Sequence, residues 1–221
     1  MKNYKIILFD LDGTLSDPKE GITKSVQYAL EKMGMVEPDI DKLEWFIGPP
    51  LQVSFAEYYG FDERESKRAI DFYRGRFKEK GMFENVLYPN ISLLLAKLKE
   101  NGYFLVVATS KPTVFAEQIL KYFNLEQYFQ LIVGSNLDGT RSSKTEIIQY
   151  ILDKYTDYEP SDFIMIGDRK HDIMGAKNTG IDSIGVTYGY GSLEEISEAE
   201  PTYTVNSVDQ LKEMLLGSVV K

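Results

Sequence analysis

No cysteine occurs in this 221-residue chain. That absence excludes disulfide frameworks, thiolate nucleophiles and every cysteine-ligated zinc or iron-sulfur site. Histidine is nearly absent as well: His171 stands alone, so no multi-histidine metal site can form and any histidine relay would have to use this one residue. No apolar run approaches the roughly 20 residues that cross a bilayer. The opening Met-Lys-Asn-Tyr-Lys leads into a run too short for a signal segment, so a cytoplasmic protein is expected. Positive charge is also in deficit, with 25 basic against 34 acidic residues for a formal charge of -9, which argues against a nucleic-acid polymer as partner, and the lack of a long apolar run argues against a membrane. A small anionic substrate would need a local positive pocket or a bound cation. Without a heptad or a long exposed apolar face, a monomer is the default expectation.

Hydrophobic residues make up 43% of the chain, enough for a folded core. Short apolar runs at Lys5 to Phe9, Phe104 to Ala108, Leu131 to Gly134, Phe163 to Gly167 and Asp182 to Val186 read as buried parallel strands. Helical patterns at Ile91 to Asn101, Pro112 to Phe123, Lys144 to Tyr155 and His171 to Asn178 alternate with them. This is the rhythm of βαβ units, and the fold class predicted is α/β with a doubly wound parallel sheet. A short edge strand at Tyr203 to Val205 and a closing helix complete it. Between Asp17 and Gly81 the rhythm breaks into helical patterns at Gly21 to Met33, Leu51 to Tyr59 and Glu63 to Lys80. The expected division is therefore an α/β core of residues 1–16 and 82–221 with an all-helical insert at 17–81.

Ligands in open α/β sheets bind beyond the carboxyl ends of the strands. After the first run come Asp10-Leu11-Asp12-Gly13-Thr14; after the second, Thr109-Ser110-Lys111; a helix then starts at Lys144; after the fourth strand stands Asp168, with Asp172 one turn on. Residues two apart on an extended chain point the same way, which would aim both Asp10 and Asp12 at one site. Such crowding calls for a cation or a retained proton. The second pair, Asp168 and Asp172, spaced to share one helical face, makes a hard divalent ion the better answer, and all-oxygen ligation fits Mg2+. Thr109 and Ser110 precede Pro112 as a helix N-cap would, and the free N–H groups of such an end also bind phosphate oxygens. Lys144 sits where the helix dipole disfavours a cation, a local cost that a binding role would explain. His171 is expected to be structural or solvent-facing. Two glycine-rich segments are rejected: Gly134 to Thr140 has Thr140 where a P-loop needs lysine, and Gly185 to Gly191 lacks dinucleotide spacing and reads as a plain loop.

Taken together, Asp10-Leu11-Asp12-Gly13-Thr14-Leu15, Thr109, Lys144 and Gly167-Asp168-Arg169-Lys170-His171-Asp172 resemble the four ordered motifs of the haloacid dehalogenase superfamily. The insert and Phe46-Ile47-Gly48-Pro49-Pro50-Leu51 resemble its branch of phosphoglycolate phosphatases and 5'-nucleotidases. The resemblance implies a Rossmann-like core with a helical cap, whose Gly48-Pro49-Pro50 loop closes over the leaving group. It implies a Mg2+-dependent phosphatase acting on a small phosphorylated metabolite: phosphoglycolate, a sugar phosphate or a nucleoside 5'-monophosphate. Asp10 would attack phosphorus to form an aspartyl-phosphate, and Asp12 would act as acid and base. Thr109, Ser110 and Lys144 would hold the phosphoryl group. The metal would lie among Asp10, Asp12 (through its carbonyl), Asp168 and Asp172, the last holding metal waters or Lys144. An Asp at position 12 favours phosphate esters over the family's dehalogenases and phosphonatases. The alternatives are a phosphosugar mutase resembling β-phosphoglucomutase, whose basic cap signature is missing from Phe46 to Phe55, and a non-catalytic binding protein on the same fold.

Overall fold

The structure, a computed structural model, describes residues 2–217. In chain order its strands and α-helices are β1 (Ile6–Phe9), β2 (Ser16–Asp17), α1 (Lys19–Lys32), α2 (Leu51–Tyr59), α3 (Glu63–Glu79), β3 (Val86–Leu87), α4 (Ile91–Glu100), β4 (Phe104–Pro112), α5 (Thr113–Tyr122), β5 (Leu131–Ser135), α6 (Lys144–Leu152), β6 (Phe163–Gly167), α7 (Lys170–Thr179), β7 (Asp182–Val186), α8 (Leu193–Glu198), β8 (Tyr203–Val205) and α9 (Val208–Leu216). Two compact units result. One comprises the described residues up to Ser16 together with those from Leu87 onward; the other is Asp17–Val86. The second unit thus runs past residue 81 to Val86, where β3 marks the passage back.

The first unit is built on a six-stranded sheet in the order β5-β4-β1-β6-β7-β8. Every pairing in it is parallel, with Phe9 opposite Val107 on one side and Ile166 on the other. The chain winds outward from β1 through β4 to β5, then returns to β6 on the opposite side of β1. The switch point therefore falls at β1, and Asp10 is the first residue beyond it, its N–H donating to Ile166 O at 2.9 Å. All four residues of β1 are fully buried, as a strand covered on both faces must be. Each such Ile, Leu or Phe contributes about 1.5–3 kcal/mol on burial. One core cluster joins Ile6, Leu8, Val106, Phe163 and Met165 to Ile147, Ile148 and Ile151 of α6. The face that carries Lys144 is thereby locked to the sheet.

Three differences from the sequence pattern matter for the site. Strand β4 continues to Pro112, so Thr109 and Ser110 lie in the strand and the N-cap position of α5 is Pro112 itself. The β4–β5 register shifts between Ala108 and Pro112, a bulge that local periodicity does not announce. Asp168 precedes α7 rather than sharing its face with Asp172; the helix N-cap is Arg169, whose N–H donates to Asp172 Oδ2 at 3.1 Å. The Gly185 to Gly191 segment, by contrast, runs from the end of β7 into the expected loop, and α8 begins beyond it after its N-cap Ser192.

The second unit packs α1 and α3 through residues such as Val26, Ala29, Ala69, Tyr73 and Phe77. Helix α3 opens on a capping box in which Glu65 N–H donates to Asp62 and Asp62 N–H to Glu65. Arg76 on α3 is committed to structure: its guanidinium forks onto both Glu84 oxygens at 2.8 and 2.9 Å and reaches Ser25 Oγ at 3.1 Å. These bonds hold the Glu84 carboxyl below its ordinary 4.5. Glu84→Gln is expected to cost ~1–2 kcal/mol at neutral pH, a charge-assisted fork discounted for partial exposure. A depressed carboxylate stabilises the fold above the unfolded value and loses that contribution as pH falls through the folded one. The gap between wild type and variant should therefore close on acidification, and thermal melts at neutral and acid pH would check it; an equal gap at both would refute the assignment.

Candidate active site

Asp10, Asp12, Thr109, Lys111, Lys144, Asp168 and Asp172 all lie at 9% exposure or less. They arrive from the ends of β1, β4 and β6 and the starts of α6 and α7. Lys144 is the first residue of α6, whose N-cap Ser143 accepts from Glu146 N–H. Its ammonium donates to the Ala108 carbonyl at 2.9 Å and forms ion pairs with Asp10 Oδ1 at 2.8 Å and Asp172 Oδ1 at 2.6 Å. Burial works against the Lys144 charge, yet Asp10 and Asp172 more than offset it and hold the group above its ordinary value.

The chain bends at Leu11, so Asp10 and Asp12 do not share one partner. Leu11 N–H donates to Asp10 Oδ1, and Lys144 forms its ion pair with the same oxygen. Asp12 instead pairs through Oδ2 with Lys111 Nζ at 2.8 Å. Burial raises the Asp12 carboxyl, opposed chiefly by Lys111. Lys111 was visible in the sequence only as the residue after Thr109-Ser110. The signal that could have found it is the strand period, since positions 109 and 111 of an extended chain share a face. Thr109 directly follows the carbonyl that Lys144 grips, and its Oγ1 accepts Lys111 N–H at 3.3 Å. Ser110 is half-buried, and its carbonyl accepts Ser135 Oγ at 2.9 Å, tying the bulge to β5.

Asp168 is fully buried. Thr14 Oγ1 donates to its Oδ1 at 3.2 Å and Tyr190 N–H to its Oδ2 at 2.8 Å. Burial, then the charges of Asp172 and Asp10, push the Asp168 carboxyl well above its ordinary range. Asp172 is raised for the same first reason, with Lys144 opposing. One carboxylate oxygen from each of Asp10, Asp168 and Asp172 lies within 4.8 Å of the others. Asp12's carboxylate stands outside that group. Gly13 adopts a φ of 78°, open to glycine at no steric cost, and a Cβ there would stand 2.1 Å from Asp168 Oδ2. The backbone after Asp10 thus closes directly onto Asp168.

Four carboxylates facing Lys111 and Lys144 leave two negative charges in excess. The donor set is hard oxygen, and a divalent cation would offset the crowded negative charge of these buried carboxylates. These residues fit Mg2+. His171 is exposed on α7. Among the described residues, no helix is long and apolar enough to cross a membrane.

The profile of the haloacid dehalogenase-like hydrolase family matches residues 7–186. A 5'-nucleotidase of Pseudomonas aeruginosa is 47% identical over 212 residues, covering 96% of each chain. Tyrosine-protein kinase PtkA of Mycobacterium tuberculosis is 36% identical over 96% of this chain and 72% of its own length. The crystal structure of a predicted phosphatase from Clostridium acetobutylicum superposes with a TM-score of 0.93 at 54% identity, covering 96% of this chain and 98% of that one.

Proposed function

The chain belongs to the haloacid dehalogenase-like hydrolases and is a phosphatase of that family, and we propose that it hydrolyses a nucleoside 5'-monophosphate or a similarly small phosphomonoester through a phosphorylated Asp10. The observation that carries the mechanism is the asymmetry of the Asp10 carboxylate. Among the described residues its hydrogen bond from Leu11 N–H and its ion pair with Lys144 both fall on Oδ1. Oδ1 is held and Oδ2 is left to attack.

Attack of Oδ2 on phosphorus forms the Asp10–phosphate bond as the ester P–O bond breaks. Asp12, a separate carboxylate kept beside the site by Lys111, gives its proton to the departing alkoxide. Asp12 then takes a proton from water, which attacks phosphorus, releases phosphate and restores Asp10. Lys144, with Thr109 beside it, offsets the charge on the transferring oxygens. Asp10, Asp168 and the Asp12 carbonyl would hold Mg2+, with Asp172 orienting Lys144; when bound, the cation supplies charge neutralisation for the approach of one anion to another.

The 5'-nucleotidase likeness supports nucleoside monophosphates as the first substrate class. The kinase-named relative favours, as a second reading, transfer of the phosphoryl group from Asp10 to a hydroxyl acceptor in place of water. Phosphate release from nucleoside 5'-monophosphates, phosphoglycolate, sugar phosphates and phosphotyrosine, with and without Mg2+, tests both. The expected result is Mg2+-dependent release with nucleoside monophosphates at least ~10-fold ahead in kcat/KM, a difference of about 1.4 kcal/mol in transition-state binding. No release from any member by folded protein would overturn the hydrolytic reading; a requirement for a bisphosphate primer would make it a mutase.

A further inference from the structure

We propose that the Thr187–Ser192 loop (Thr-Tyr-Gly-Tyr-Gly-Ser) is the positioning element of the metal-side carboxylate, clamping Asp168 in the one place where it can serve a divalent cation. The inference rests on the Mg2+ reading above and assigns to this loop a role that its sequence alone did not suggest.

The loop runs along Asp168 from side chain to backbone. A Cβ on Gly189 would stand 2.4 Å from Asp168 Cβ, 2.5 Å from its Oδ2 and 2.3 Å from the Gly13 carbonyl. One on Gly191 would stand 2.0 Å from the Asp168 carbonyl. Between those glycines, Tyr190 N–H donates to Asp168 Oδ2 at 2.8 Å. Gly13 closes the other side, so the carboxylate occupies a slot walled by glycine backbone. No larger residue leaves the slot intact, because real Cβ atoms do not approach other heavy atoms this closely.

The clamp is itself anchored at both ends. Thr187 N–H donates to Val205 O at 3.0 Å, extending the β7–β8 ladder. Ser192 Oγ accepts Glu195 N–H at 3.0 Å, and Glu195 Oε1 accepts both Arg169 Nε and Lys170 N–H at 2.9 Å. Helix α8 is therefore tied to the two residues that follow Asp168. Tyr188 adds a third anchor: its hydroxyl donates to the Thr14 carbonyl at 3.0 Å, and Thr14 Oγ1 donates to Asp168 Oδ1. Each Asp168 oxygen is thus oriented from a different side, one through Thr14 and one through Tyr190. Such a shell fixes a ligand's direction before a cation arrives, and its loss typically lowers metal affinity by about 10–100-fold.

The test is Mg2+ binding by isothermal titration calorimetry, beside thermal melts, for wild type, Gly189→Ala, Tyr188→Phe and Glu84→Gln. Gly189→Ala is expected to raise the Mg2+ Kd at least ~10-fold, following the outer-shell rule, and Tyr188→Phe, one step further out through Thr14, by less, about 3-fold. Glu84→Gln, in the other unit, should lower the melting temperature without moving the Kd, which separates positioning from general destabilisation. If Gly189→Ala does not fold, Tyr188→Phe decides. A wild-type Kd in both loop variants, or in Tyr188→Phe alone where only that one folds, overturns the clamp. No Mg2+ binding by wild type overturns the metal reading and the clamp with it.

Discussion

Asp10→Asn is expected to lower phosphate release by at least ~10³-fold, because an amide oxygen neither attacks phosphorus nor leaves as a carboxylate does. The fold should survive the change. The amide oxygen can still accept from Leu11 N–H and lie against Lys144, the two contacts that hold Oδ1. One negative charge is also removed from a buried cluster that carries two in excess, so the melting temperature without added Mg2+ should stay level or rise. Stabilisation by Mg2+ should shrink at the same time, since one of three converging carboxylates is gone. Turnover within 10-fold of wild type, measured on protein freed of contaminating phosphatase, would remove Asp10 as nucleophile.

Lys144→Met should be the most damaging single change to stability in the site. The substitution leaves Asp10 and Asp172 buried without their shared cation, and removing one partner of a buried pair costs roughly 3–5 kcal/mol. For a chain of this length that corresponds to a fall in melting temperature of roughly 6–20 °C. Phosphate release should drop by about 10²–10³-fold, the usual consequence of losing one preorganised donor to a developing oxyanion. Mg2+ should raise the melting temperature of Lys144→Met more than that of wild type, because a cation would then neutralise both orphaned carboxylates. A variant that melts and turns over like wild type would show that Lys144 carries neither charge balance nor catalysis.

Much of this architecture was legible in the sequence. Apolar runs of four or five residues, separated by helical periodicity, announce a parallel sheet because a strand covered on both faces is built mostly of apolar residues. The residues at the ends of those runs announce the site, since parallel strands deliver their carboxyl ends to one edge. Asp10, Lys144, Asp168 and Asp172 were all readable on that logic, and so was the interruption of the rhythm by helices α1 to α3. Less legible was the stretch from Thr109 to Pro112, which reads as a helix cap beside Pro112. Its strand continuation depends on a bulge paired to β5, a partner more than 20 positions on.

What sequence determined by itself was the kind of groups available: no thiol, one histidine, and carboxylates with lysines at strand ends leave oxygen ligation as the natural use of this edge, while phosphoryl transfer came from the resemblance of those motifs to the haloacid dehalogenase superfamily. What only tertiary structure decided was which group holds which. Lys111 rather than Lys144 pairs with Asp12, and the Tyr188–Gly191 segment, separated from Asp168 by about 20 residues and from Thr14 by 174, closes around both. Local patterns record what each residue does to its own backbone and face. They cannot record that two glycine backbones approach one carboxylate closely enough to exclude a Cβ, because that distance exists only once β1, β6 and β7 lie side by side and their loops meet at a common edge.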